Sequence, residues 1–170
     1  GSPSSGKSSE AMSNGFMASH LDMLAIEFFR EFSRFEYGLK AGGFLLVRRK
    51  DEPEANWDEF AKAVKQTFEK PPSKKFSAAV AYFMKNPPKK QVVKDNALQW
   101  ENDASQDSGA LRVLVLVRRV RNNLFHGGKF NGQGWFSPER SEELLRHGTV
   151  ILRSLIRAHP DVRRAYFEEP

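Results

Sequence analysis

The chain contains no cysteine. That excludes disulfide cross-links, thiolate zinc centres and thiol nucleophiles, and it suits a reducing compartment, so a cytoplasmic location is the expectation. No apolar run approaches the ~18 residues needed to cross a bilayer, so no membrane partner is expected. The N-terminal stretch lacks the apolar region of a signal peptide, which leaves export unsupported. No internal repeat and no nucleotide-cofactor site is visible, and no cofactor is expected.

What remains is the make-up of one globular domain. The chain has 170 residues, 39% of them hydrophobic and 28% charged, enough for a single real core. The formal net charge of +6 is compatible with a polyanion partner but speaks first to solubility.

Residues 1–18 are rich in Ser and Gly and read as a disordered tag or linker. Ser19, with Asp22 three residues on, is expected to cap a long helix. Leu21, Leu24, Phe28, Phe32, Phe35 and Leu39 then recur at spacings of three and four, one helical face. That Phe stripe reads as core. Gly42-Gly43 weakens the helix near its end. A loop over Lys50 to Asn56 precedes a helix from Trp57 to about Glu69, stopped by Pro71-Pro72. Another helix spans Lys74 to Lys85, stopped by Pro87-Pro88. Residues 89–108 are the least readable. Gly109 to Phe125 reads as helix, because Val113, Val117, Val120 and Leu124 keep helical spacing beyond the LRVLVLV run. Ser137 is expected to cap a last helix from Pro138 to about Ala158, ended by Pro160. Residues 161–170 read as a C-terminal tail. The fold class is all-α: one domain, residues 19–160, a bundle of about five or six helices.

Acidic residues are missing from one window in particular. Residues 108–138 hold no Asp or Glu, yet carry Arg112, Arg118, Arg119, Arg121 and Lys129. Hard cations want carboxylate oxygens, so no metal site is expected there. Phosphate suits such a window. A solvated basic face, partnered by Glu142 and Glu143, explains it equally well on charge alone. Arg118, Asn122 and His126 fall at i, i+4 and i+8 on one helix face, with Arg121 beside them. His126 can move a proton near neutral pH and Arg cannot, so His126 reads as acid/base and Arg121 as the phosphate binder. The bare Arg-to-His spacing is not specific. It recurs at Arg140/His147 and Arg153/His159, where the His residues read as ordinary surface or capping groups.

The longer string discriminates. Arg121-Asn122-Asn123-Leu124-Phe125-His126-Gly127-Gly128, followed by Lys129, closely resembles the signature of the HEPN superfamily (higher eukaryotes and prokaryotes nucleotide-binding). Residues 32–40, Phe-Ser-Arg-Phe-Glu-Tyr-Gly-Leu-Lys, are similar to first helices of that family. The resemblance implies a metal-independent ribonuclease that leaves 2′,3′-cyclic phosphate and 5′-OH ends. It implies Arg121, Asn122 and His126 as catalytic residues and Arg118, Arg119 and Lys129 as RNA-seating cations. Glu36 and Lys40 are second-tier positions, equally well explained as an exposed i, i+4 pair. A homodimer is implied, since one His supplies only one proton-transfer group and the family faces two motif helices across a composite site. Phe125, Phe130, Trp135 and Phe136 then divide between core, dimer contact and base stacking. A toxin or defence role, with an antitoxin or other regulatory protein, is common in the family. So are non-catalytic members that bind RNA, nucleotides or proteins. A helical interaction domain facing an acidic protein is the reading from outside the family.

Overall fold

The computed structural model describes residues 6–125, 130–131, 134–135 and 137–168. The Phe stripe sets its centre. Leu21, Phe28, Phe32, Phe35 and Leu39 are each at most 4% exposed, so the spacing of three and four does bury one face of α1 (Gly6–Ala41). Ser19 lies inside this helix rather than at its N-cap. Between Gly6 and Ser19 there is no proline to stop an earlier start. The glycine pair does more than weaken the end. Gly43 takes φ +98°, and the Phe44 and Gly43 amides donate to Leu39 O and Lys40 O, which closes the helix in a Schellman motif.

A hairpin follows, β1 (Leu45–Val47) against β2 (Pro53–Ala55), turned through Lys50 and Asp51 in the left-handed region. It occupies most of the segment expected as loop. The single helix expected over 57–69 is two, α2 (Trp57–Ala63) and α3 (Lys65–Glu69). The break is at Val64, which leaves helical geometry to bury itself at 1% exposure; packing overrides propensity there. Asn56 caps α2 by accepting from the Glu59 amide, and Ser73 caps α4 (Lys74–Lys85) by accepting from the Phe76 amide.

The unreadable segment is a second hairpin, β3 (Lys90–Lys94) against β4 (Ala97–Glu101), with Gln91 paired to Trp100 and Val93 to Leu98. Asp95 and Asn96 both take positive φ, the two-residue turn that matches strand twist. Next comes α5 (Ala110–Phe125), burying Val113, Leu114, Leu116, Val117, Val120 and Leu124. A minimal pair, β5 (Phe130–Asn131) and β6 (Gly134–Trp135), precedes α6 (Pro138–Leu155). Ser137 sits at the N-cap position but adopts φ +45° and makes no capping bond, so its expected role is not met.

Residues beyond Pro160 are not a simple tail. Pro160 opens α7 (Pro160–Phe167) at its first position, where its missing N–H costs nothing. Val162 is fully buried, and Tyr166 donates to Glu31 Oε2 of α1 at 2.6 Å, so α7 docks on α1. The architecture is thus mainly helical, with seven α-helices and three separate two-stranded hairpins among the described residues. The core lies where α1, α4, α5 and α6 meet. Contact between α1 and α6 is close enough that a Cβ on Gly148 would stand 2.8 Å from the Phe28 ring. No helix among the described residues is long and apolar enough to cross a membrane.

Candidate functional site

Helix α5 has one apolar side and one cationic side, and the cations fall into two sets. Arg112 and Arg119 turn toward Asp103, in the loop that follows β4. Arg112 reaches Asp103 at 2.8 and 2.9 Å, and Arg119 pairs with it as well while donating to Pro88 O at 3.1 Å. The Asp103 side chain is only 7% exposed. Hydrogen bonds from Arg112 and then Arg119 outweigh its burial and hold its carboxyl well below the usual carboxylate range. Arg119 therefore faces inward, where its charge is met by a carboxylate lying outside the acid-free window. Glu142 and Glu143 do not partner this helix. Glu142 pairs with Arg146 and His20, and Glu143 with His147.

Arg118 and Arg121 form the second set, and neither has a carboxylate partner among the described residues. The Arg118 guanidinium sits 5.2 Å from the ring centre of buried Trp57. Arg121 sits 4.6 Å from the ring of Phe125 and about 6 Å from Phe29 and Phe32 of α1. Phe29 and Phe125 stack on each other at 6.3 Å, so aromatic faces border Arg121 without neutralising it. Its Nη1 donates to Asn122 Oδ1 at 3.1 Å. Asn122 thus orients the arginine and keeps its own amide nitrogen as a donor. All of this lies in the last two turns of α5, at the negative end of the helix dipole. Cations are favoured there, and an anion would be held by side chains rather than by free backbone amides.

Arg118 and Asn122 do share a face, as their spacing requires, and they line a groove of about 380 Å³. Its far wall is β3, which contributes Lys90 and Gln91. Asn123, only 4% exposed, anchors the two walls by donating to Lys89 O at 3.1 Å. Sequence reasoning missed Lys90, Gln91 and the anchoring role of Asn123. The available signal was the Asp95-Asn96 turn between two short polar–apolar strands, which would have placed a hairpin before α5.

His126 and Lys129 lie outside the described residues. So does Phe136, while Phe130 and Trp135 are described in their backbone pairing alone. Glu36 and Lys40 are half-buried on α1, one and two turns beyond Phe32, and make no ion pair with each other. They do not line the groove.

The other Arg–His pairs make contacts with neighbouring side chains and backbone. Arg140 donates to Pro87 O at 2.7 Å, while His147 stacks on Tyr82 at 4.7 Å and lies 3.0 Å from Glu143. Arg153 bonds Glu27, and His159 meets Phe44 edge-on at 5.0 Å. No family model matches the chain, and no curated protein or solved structure matches it.

Proposed function

We propose that this protein is a metal-independent endoribonuclease of HEPN type, working as a homodimer in the cytoplasm on RNA. The observation that carries the reading is Arg121: an arginine held by Asn122 and bordered by aromatic rings, unpaired with any carboxylate among the described residues, and five residues before His126 in the sequence. A guanidinium kept in that state has its donors available for a phosphodiester.

The ribose 2′-OH is the nucleophile. His126 takes its proton as the O2′–P bond forms, and Arg121 stabilises the charge developing on the phosphoryl oxygens. The P–O5′ bond breaks as the partner subunit's His126 protonates the leaving oxygen. The products are a 2′,3′-cyclic phosphate and a 5′-OH end. Asn122 positions Arg121, and Arg118 and Lys129 seat the chain's phosphates. Phe125, 61% exposed beside Arg121, offers apolar surface to a second copy. A toxin or defence role under a restraining protein partner belongs to the same reading.

The test is incubation of wild type and His126→Ala with end-labelled single-stranded RNA in excess EDTA. Cleavage by wild type alone, with cyclic-phosphate ends, is the expected result. RNA binding without cleavage by either would instead favour a non-catalytic member of the same family.

A further inference from the structure

The groove between β3 and α5 has a chemistry of its own. Its walls carry Lys90 and Arg118, two cations with no ion pair among the described residues, Arg119, which Asp103 neutralises, and three carboxamides, Gln91, Asn122 and Asn123. Among the described residues, no carboxylate lines it. The nearby acids are already engaged, Asp103 with Arg112 and Arg119, and Glu101 with Lys94 at 2.8 Å. The walls are fixed relative to each other, because Asn123 and Arg119 of α5 both donate to backbone carbonyls at the entry to β3.

We propose that this groove is a nucleotide subsite for single-stranded RNA, in which Lys90 and Arg118 hold a backbone phosphate and Gln91 reads the edge of the base. The subsite rests on the nuclease reading for its place beside the scissile phosphate, since Asn122 lines the groove and bonds Arg121. A carboxamide presents donor and acceptor together, the pairing that base edges require. The base is taken as unpaired, because sequence-specific RNA recognition overwhelmingly targets single-stranded bases whose edges are open to side chains. The groove, about 380 Å³, is of a size for one nucleotide unit. Lys90 and Gln91 are therefore specificity determinants supplied by a hairpin outside the motif helix.

The experiment uses the full chain and four homohexamers (U, C, A and G) carrying 2′-fluoro ribose, which lack the nucleophile and so report binding alone. Wild type, Gln91→Ala, Lys90→Ala, Arg118→Ala and the Lys90→Ala/Arg118→Ala double variant are compared across a salt series, with Lys65→Ala on α3 as a control for lost charge. Circular dichroism checks that each retains its helical content. Wild type is expected to prefer one base by roughly tenfold, and Gln91→Ala to bring the four within about twofold. Lys90→Ala and Arg118→Ala should each weaken all four alike, and the double variant should reduce the slope of log affinity against log salt by about 0.7, the value of one phosphate on a single strand. Lys65→Ala should change neither. Equal affinities in wild type, or a preference that survives Gln91→Ala, would overturn the subsite.

Unmodified hexamers in EDTA separate this from the parent reading. Cleavage that is indifferent to Gln91 and Lys90 rejects the subsite and keeps the nuclease. Gln91-dependent binding with no cleavage keeps the subsite and rejects the nuclease. A wild type that binds no hexamer rejects the subsite by itself.

Discussion

Two pairs of arginines on one helix meet opposite fates. Arg112 and Arg119 are clamped onto Asp103, while Arg118 and Arg121 rest against aromatic rings with no carboxylate within ion-pair reach among the described residues. Arg118 and Arg119 are adjacent in the chain, yet a rotation of about 100° around the helix puts them in different chemistry. The lesson concerns charge counting. An acid-free window looks like a reservoir of free cations, but here an acid just upstream folds back and takes two of them. What stays available is a smaller set, and it is the set nearest the motif.

The sharpest way to break this comparison is to remove one arginine from each pair. Arg121→Ala should lower RNA cleavage at least about a hundredfold, the scale of losing a preorganised donor to a developing charge, with little change in thermal midpoint. If instead its loss falls on stability, the two pairs are not different in kind. Asp103→Ala should cost about 3 kcal/mol in a urea titration, because it leaves two largely buried guanidinium groups without their countercharge. The same variant releases Arg112 and Arg119, so its RNA binding should become more salt-dependent than that of wild type.

A pH series sharpens the same point. Asp103 is held below its ordinary value by hydrogen bonds from Arg112 and Arg119, so it binds its proton more readily unfolded than folded. Its contribution is complete above about pH 4 and drains as pH falls further, toward its lowered folded value. Urea midpoints of wild type should therefore fall below about pH 4, and Asp103→Ala should flatten that part of the curve. The smallest effect is expected at His147. Its Glu143 contact is partly exposed and its ring only covers Tyr82, so His147→Ala should cost less than about 1 kcal/mol and leave cleavage intact. Loss of cleavage there would move the site to the Arg140/His147 pair.

How much of this was legible in the sequence depends on how local the cause is. Helix α4 runs over the residues its cap and prolines dictate, since Ser73 and Pro87-Pro88 act within a turn of its ends. Helix α5 starts one residue later than its apolar spacing suggests. The break at Val64 was not legible, because no glycine or proline marks it and burial alone produces it. Pro160 is ambiguous in sequence: it stops one helix and starts another, and only the burial of Val162 against α1 decides for α7. Hairpin β3–β4 hides behind a turn without glycine.

At the site, the shared face of Arg118 and Asn122 follows from i, i+4 spacing. The Asn122 bond to Arg121 is also local. The Asp103 clamp and the docking of the Lys90–Gln91 wall are long-range, set by how a loop and a hairpin return to α5; the Asp95-Asn96 turn announces the hairpin but not where it docks.

On the nuclease proposal, Arg121 serves RNA cleavage while Arg119 serves the fold. Initial rates on end-labelled single-stranded RNA in excess EDTA, measured for wild type, Arg121→Ala and Arg119→Ala alongside their urea midpoints, test it most directly. Arg121→Ala should lose activity at near-normal stability, and Arg119→Ala should lose stability while the remaining folded fraction still cleaves. An Arg121→Ala protein that cleaves as fast as wild type would contradict the proposal.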